Sequence, residues 1–111
     1  MAAKNGGLPK NICFLEEAIG YTFHKKEYCI EALRHSSYAN ENKHLGFCSN
    51  ERLEFLGDSV LSLVTSSYLF GLFSEQPEGD LTKLRADLVC TRSLSNFARR
   101  ISLGDYLLLG H

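Results

Sequence analysis

The sequence predicts an all-α domain of about five helices. Apolar residues recur at the three- and four-residue spacing of helices in five separate segments, and no segment keeps the alternation that is typical of a half-buried strand. Hydrophobic residues make up 44% of the 111 residues and aromatic residues 11%, which is enough apolar material for one core. We therefore expect a single globular domain and not a disordered chain.

The first ten residues contain Gly6, Gly7 and Pro9 and show no apolar periodicity, so residues 1–10 are expected to form a flexible lead-in. The folded domain is expected over residues 11–111. Its first two elements are short amphipathic helices, one ending at Gly20 and one ending before Arg34. Their apolar positions are Ile12, Leu15, Ala18 and Ile19 in the first helix, and Tyr28, Cys29, Ala32 and Leu33 in the second.

Residues 34–49 are mostly polar and keep no period, which predicts a functional loop in which His35 has an ordering role. The longest helix is predicted over residues 51–73, because this stretch lacks proline and Asn50 stands at the N-cap position. Pro77 and Gly79 interrupt the chain after it. Two further helices follow, the last with Thr91 or Ser93 as its predicted cap, and the apolar run at residues 106–109 suggests that more of the domain lies beyond.

The overall charge does not favour a polyanion-binding protein. Twelve basic and thirteen acidic residues give a formal charge of −1, so any nucleic-acid site must be local. The four cysteines show no zinc-ligand spacing, and thiols are expected. The sequence contains neither a secretory leader nor an unbroken apolar run of membrane-spanning length, so we expect a cytoplasmic protein without a membrane partner.

Three carboxylates stand out on the longest helix. Glu51, Glu54 and Asp58 fall within an arc of about 60° on a helical projection. One interpretation is a solvated acidic face, which the helix dipole favours in the first turn. The other is a site for Mg²⁺ or Mn²⁺, because clustered carboxylate oxygens suit hard cations that also bind phosphates. Spacing alone does not decide between them.

The surroundings of these acids lead to two further expectations. The arc opposite to them carries Leu53, Leu56, Val60 and Val64 and is expected to face the core. Phe55 flanks the acids, so little of this helix is expected to face water, and the acids are expected to be partly desolvated. Gly57 in mid-helix suggests close approach of another backbone. Glu78 and Asp80, after Pro77, are candidates to join the same site, although this segment is also an ordinary helix start.

Residues 50–61 read N-E-R-L-E-F-L-G-D-S-V-L, and this segment resembles the signature of the ribonuclease III family nearly letter for letter. Two more segments support the resemblance. L-R-H-S-S-Y-A-N-E at residues 33–41 is similar to the H-x-S-Y segment of the family, and P-E-G-D-L-T-K-L-R-A-D-L-V at residues 77–89 is similar to its next helix start. The resemblance covers roughly residues 14–110.

The resemblance implies an all-helical domain that forms a homodimer and cleaves double-stranded RNA with Mg²⁺, as in the processing of rRNA and other structured RNA. The metal ligands of the family match Glu54 and Asp58, which would be the catalytic acids. Glu51 matches an acid placed near the RNA, and Glu78 matches a further acid beside the metal site. Phe55 matches the aromatic knob that inserts into the partner subunit.

The sequence departs from the family in one respect: the family completes its site with an Asp and a Glu on a later helix, which these 111 residues do not contain. These 111 residues contain no double-stranded RNA-binding domain either. We therefore expect a partial catalytic domain, incomplete at its C-terminus and inactive by itself. The main alternative is a non-catalytic dimerisation module with a ribonuclease III-like fold, and a carboxylate-metal phosphohydrolase for small molecules ranks far behind.

Overall fold

The computed structural model describes residues 12–111, and in this range the chain is all-helical. The predicted lead-in at residues 1–10 lies outside the described residues. Six α-helices and two 3-10 turns form the fold, and the described residues contain no strand beyond one isolated bridge between Arg34 and Leu108. The helices are α1 (Ile12–Ile19), α2 (Lys26–Leu33), α3 (Ser36–Glu41), α4 (Glu51–Leu72), α5 (Glu78–Val89) and α6 (Thr91–Arg100). The predicted all-α class is confirmed.

The core lies at one end of the molecule, between α1, α2 and the segment that follows α6. Leu15, Cys29 and Leu33 are buried against one another at its centre. Partly buried apolar side chains from both ends of the described chain surround them: Ile12, Phe23, Ile101, Leu103, Tyr106 and Leu107. The terminal apolar run thus packs on the first two helices, and only Leu109 of that run is largely exposed.

A buried carboxylate fastens α1 to α2. Glu16 is 6% exposed, and its Oε2 accepts hydrogen bonds from Lys26 Nζ at 2.6 Å and from the backbone N–H of Phe23 at 2.7 Å. The bond from the Lys26 ammonium, followed by that from the Phe23 N–H, holds the pKa of the Glu16 carboxyl below its usual range. The loop between the two helices is therefore ordered by a charged group.

The prediction of an irregular loop over residues 34–49 was wrong. This segment forms α3 and a 3-10 turn over Lys43–Leu45. The segment has no apolar periodicity, but side-chain contacts stabilise it. The Phe47 ring lies 6.0 Å from the Tyr38 ring and 4.3 Å from the Arg34 guanidinium carbon. Ala39 of α3 is buried. Polar residues therefore become helical here because tertiary contacts outweigh a weak intrinsic propensity.

The longest helix, α4, projects from this core. Its C-terminal half packs on α5, where Leu69 is buried and Arg85 Nη1 donates to Ser66 Oγ at 2.9 Å. Leu69 is the one residue of α4 that is buried. The aliphatic arc that was expected to face a core is largely exposed instead, including Leu56, Val60 and Val64. The expectation was wrong because periodicity identifies an apolar face but not the element that covers it.

By length and composition alone, α4 is apolar enough to cross a membrane, and it is the one such helix in the part of the chain that the structure describes. The sequence had predicted no such segment. The helix is not uniformly apolar, because it begins with Glu51, Arg52 and Glu54 and carries Asp58 in its third turn. Charged side chains at these positions are costly in a bilayer.

Neutralising Glu16 is expected to destabilise the fold at neutral pH and to flatten its response to acid. Because the pKa of Glu16 is lowered by folding, its contribution is present above the usual glutamate pKa of about 4.3 and is lost as the pH falls through the lower folded value. In thermal melts between about pH 7 and pH 3, Glu16→Gln should have a lower Tm than wild type at pH 7, and its Tm should decrease less towards pH 3.

Glu17→Gln supplies the matched control, because Glu17 is the exposed neighbour on the same helix. It should follow the wild-type curve. Parallel wild-type and Glu16→Gln curves over the acid range would show that this carboxylate does not couple protonation to folding.

Candidate active site

The acidic stripe lies on the first turns of α4 and faces solvent. Glu51, Glu54 and Asp58 are all exposed, and none forms an ion pair within residues 12–111. The expected partial desolvation was therefore wrong for this chain. Glu54 and Asp58 are one helical turn apart, with a rise of about 6 Å between them, so their carboxylates can converge on one ion.

Two such acids are too few to complete the coordination shell of a metal ion. Magnesium in proteins is commonly held by one or two carboxylates while water and substrate phosphates complete its shell. Among the described residues, no group of three or more His, Cys, Asp or Glu side chains is gathered for a metal. Glu54 and Asp58 are therefore an exposed pair of carboxylates and not part of a closed metal-binding cage.

Glu78 lies elsewhere in this structure. It is the first residue of α5 and lines a cavity of about 230 Å³ between α5 and the distal half of α4, together with Ser66, Phe70 and Arg85. Ser66 is eight residues beyond Asp58, which corresponds to about 12 Å along the helix axis. Within one chain, Glu78 is thus not brought beside the Glu54–Asp58 pair.

The surroundings of Phe55 are also open. Its side chain is 81% exposed and borders a shallow hollow with Glu51, Arg52 and Leu56. A Cβ added at Gly57 would meet no atom within 4 Å, so the close backbone approach that Gly57 suggested does not occur within this chain. The face of α4 that carries the acids is therefore bordered by exposed apolar surface.

The N-terminus of α4 is held by the end of α2. Three consecutive carbonyls there, of Ala32, Leu33 and Arg34, accept hydrogen bonds from residues far away in sequence, and we call this group the α2 junction. Asn50 Nδ2 donates to Ala32 O at 2.9 Å and Asn50 N donates to Arg34 O at 2.8 Å. Between these two bonds, Leu108 N donates to Leu33 O at 2.9 Å.

Asn50 occupies the predicted N-cap position, but its side chain does not cap α4. Ser49 Oγ accepts the Glu51 N–H at 3.3 Å instead. At α6, the cap position is Cys90, and neither Thr91 nor Ser93 is the N-cap residue that the sequence suggested. The Ser93 hydroxyl donates to Asp87 O at 2.6 Å, so its hydrogen-bonding capacity is used between helices.

The ordering role expected for His35 is confirmed. Its Nδ1 accepts the Ser37 N–H at 3.1 Å and thereby caps α3, and the Ser37 hydroxyl lies 2.8 Å from the same nitrogen. The end of the chain then crosses α3, because Gly110 N donates to Ser37 Oγ at 2.8 Å and His111 N donates to Glu41 Oε2 at 2.7 Å. We call residues 108–111 the terminal strap. Sequence reasoning did not predict it, because the apolar run at residues 106–109 indicates a surface that needs a partner but does not identify that partner.

Comparison with known proteins decides the family. The model of a family described as Ribonuclease-III-like matches residues 25–111, which include α4 and the α2 junction. The chain belongs to the ribonuclease III family. The match extends the resemblance from the signature segment at residues 50–61 to most of the chain.

Curated relatives agree with this membership in the ribonuclease III family. The chain is 50% identical over 96 residues to Ribonuclease 3 of Oceanobacillus iheyensis, an alignment that covers 86% of this chain and 42% of the relative. It is 52% identical over 99 residues to Ribonuclease 3 of Caldanaerobacter subterraneus subsp. tengcongensis, covering 89% of this chain and 43% of the relative. The chain thus spans about two fifths of the length of these relatives.

Solved structures confirm the fold. The nuclease domain of ribonuclease III from Campylobacter jejuni superposes with a TM-score of 0.79 at 46% identity, covering 91% of this chain and 65% of that domain. A second structure from the same organism, described as showing structural flexibility in the region involved in dimer formation, gives a TM-score of 0.80 at 45% identity and covers 90% and 66% of the two chains. This ribonuclease III chain therefore has the fold of a nuclease domain over about two thirds of such a domain.

The strap that closes the α2 junction in this ribonuclease III chain requires glycine at residue 110. A Cβ added there would overlap Glu41 Oε2 and would lie 2.6 Å from Ser37 O. Gly110→Ala should therefore destabilise the chain by about 1–3 kcal/mol, the range for overpacking, as measured by urea denaturation. Gly104→Ala, whose added Cβ meets nothing within 4 Å, should change stability by about 0.5 kcal/mol or less. Equal effects of the two substitutions would contradict the close approach.

Proposed function

We propose that this chain supplies the first part of an active site for endonucleolytic cleavage of double-stranded RNA with Mg²⁺, or with Mn²⁺ in its place. The observation that carries the proposal is the placement of Glu54 and Asp58. Both acids stand exposed and without an ion pair on the signature helix of a ribonuclease III nuclease fold. Packing does not explain them, because neither contributes to the core.

The donor set fits a hard divalent cation. Glu54 and Asp58 offer oxygen ligands at one-turn spacing, and the open surface beside them leaves room for a phosphate of the substrate. Such a cation, when bound, polarises a phosphoryl oxygen and makes water more acidic. The two carboxylates hold it in place and balance its charge, while Glu51 stands one turn before them at the edge that faces the RNA. Glu78 stays a candidate for a further acid of the active site.

The proposed substrate is an RNA duplex that is recognised by shape. The A-form helix displays 2′-hydroxyls and phosphates across its wide minor groove, and its deep major groove is closed to side chains. A net charge of −1 gives this chain little general attraction for RNA, so the cation site would have to supply local attraction. We expect cleavage to depend only weakly on RNA sequence. Because the cysteines are expected to be thiols, we also expect the protein to act in the reducing cytoplasm.

Two acids leave the coordination shell incomplete, so the 111 residues alone are expected to have negligible nuclease activity. In the full-length protein, Asp58→Asn and Glu54→Gln should each reduce cleavage of a long RNA duplex by at least about 10²-fold, because each substitution keeps size and removes a charge that holds the cation. Duplex binding measured without divalent cation should remain near wild type.

Glu75→Gln is the matched control, because Glu75 is an exposed acid that lies outside the stripe. It should retain the wild-type rate. Near wild-type cleavage by Asp58→Asn or Glu54→Gln at saturating Mg²⁺ would show that the substituted residue does not hold the metal.

A second role, dimerisation, is favoured by the exposed apolar surface of α4. Phe55 is 81% exposed and stands on the same helix as exposed Leu63, Val64 and Tyr68. Apolar surface of this extent on one helix is typical of an interaction site. We propose that the full-length protein is a homodimer in which Phe55 contacts the partner subunit. A non-catalytic dimerisation module would use the same surface, and the acid substitutions distinguish the two functions.

Phe55→Ala should weaken dimerisation of the full-length protein by several orders of magnitude. Truncating a buried phenylalanine costs about 3–5 kcal/mol, and a two-fold interface contains the contact twice. Sedimentation at micromolar concentration measures the change, and circular dichroism checks that the helices persist. Phe14→Ala, which removes an exposed ring from α1, should remain dimeric. A fully dimeric Phe55→Ala protein would contradict the assignment.

A further inference from the structure

Asn50 makes two hydrogen bonds whose arrangement does not match that of a helix cap. Its side-chain nitrogen donates to Ala32 O at 2.9 Å, and its backbone nitrogen donates to Arg34 O at 2.8 Å. Both acceptors are carbonyls at the C-terminal end of α2, where a helix has no partners of its own for its last carbonyls. Asn50 thus closes the end of α2 and fixes the start of α4 with the same residue.

The capping function at α4 belongs to its neighbour. An N-cap side chain accepts a hydrogen bond through its oxygen from an N–H of the first turn, and Asn50 makes no such bond. Ser49 Oγ accepts the Glu51 N–H at 3.3 Å. The amide nitrogen of Asn50 is therefore the functional part of its side chain, and a residue that only accepts hydrogen bonds cannot replace it.

The contact to Ala32 lies at the end of α4 that carries the acids. Between Asn50 and Ser66, the described structure shows no side-chain hydrogen bond from α4 to another element, and Arg85 is the donor that reaches Ser66. The two contact points are separated by about 24 Å of helix, so a pivot of ~5° about Ser66 displaces the N-terminal end by about 2 Å. Displacements of ~1 Å are large for a site that depends on ligand geometry.

We infer that Asn50 is a positioning residue for the cation site: its side-chain amide fixes the first turns of α4 on the α2 junction, and thereby sets the placement of the Glu54 and Asp58 carboxylates. This inference rests on the proposed function of those two acids. It adds a residue that touches neither the cation nor the RNA, and it assigns the effect to hydrogen-bond donation and not to helix capping.

Asn50→Asp separates this role from capping. Aspartate caps helices as well as asparagine does, but it cannot donate to Ala32 O and sets a carboxylate oxygen against that carbonyl. Its added negative charge lies close to Glu51 and Glu54 and, by electrostatics alone, would strengthen cation binding. The positioning role and the charge effect therefore predict opposite changes in cation affinity.

The experiment measures Mn²⁺ binding to the full-length protein by electron paramagnetic resonance and the Mg²⁺ concentration for half-maximal cleavage of duplex RNA. Asn50→Asp and Asn50→Ala should weaken Mn²⁺ binding and raise the Mg²⁺ requirement, each by about tenfold, as for other residues that orient metal ligands. Asn50→Gln keeps the amide donor on a longer side chain and should lie closer to wild type than Asn50→Asp. Ser49→Ala, which removes the observed cap, should leave both quantities unchanged.

A Mn²⁺ affinity at or above the wild-type value in Asn50→Asp would overturn the inference, because loss of the amide donor would then not impair the placement of the two acids. A lowered Tm with unchanged Mn²⁺ affinity and Mg²⁺ requirement would overturn it too, because the contact would then serve stability alone. If Asn50→Ala does not fold, the comparison of Asn50→Asp with Asn50→Gln decides. A wild-type protein that neither binds Mn²⁺ nor cleaves the duplex would instead refute the proposed function, and the inference with it.

Discussion

The structure depends on how the carbonyls at the end of α2 are satisfied. A helix leaves its last carbonyls without hydrogen-bond partners. Here two distant segments donate hydrogen bonds to the carbonyls of Ala32, Leu33 and Arg34. Asn50 brings the start of α4 to this point, and Leu108 brings the end of the described chain. One group of hydrogen bonds therefore joins the core, the terminal strap and the helix that carries the acids.

This arrangement explains why α4 has two surfaces of opposite character. It is fixed at its N-terminus by the α2 junction and along its C-terminal half by α5, so its middle is left in solvent. The acids on one face remain available for a cation, and the apolar residues on the other face remain available for a protein surface. The proposed cation binding and the proposed dimerisation thus place different demands on a single helix, and Phe55 stands where the two surfaces meet.

Much of the fold follows from periodicity, whereas contacts between elements do not. Helices α1, α2, α4, α5 and α6 were predicted because their apolar positions repeat at helical spacing. Helix α3 was missed because a histidine cap and an aromatic pair hold it, and the arc of Leu56 was wrongly expected to be buried because a sequence does not show which element covers it. The signature named Glu54 and Asp58, but the distance of Glu78 from them and the donor role of Asn50 required coordinates.

The proposed cation site requires that Glu54 and Asp58 hold a divalent cation together. Crystals of the full-length protein grown with Mn²⁺ test it directly, because anomalous scattering locates the ion without assumptions about its ligands. We predict a Mn²⁺ peak about 2.1 Å from one carboxylate oxygen of each of the two acids. A peak at other acids with none between Glu54 and Asp58, or duplex cleavage in crystals or solution by a protein that holds no ion there, would contradict it.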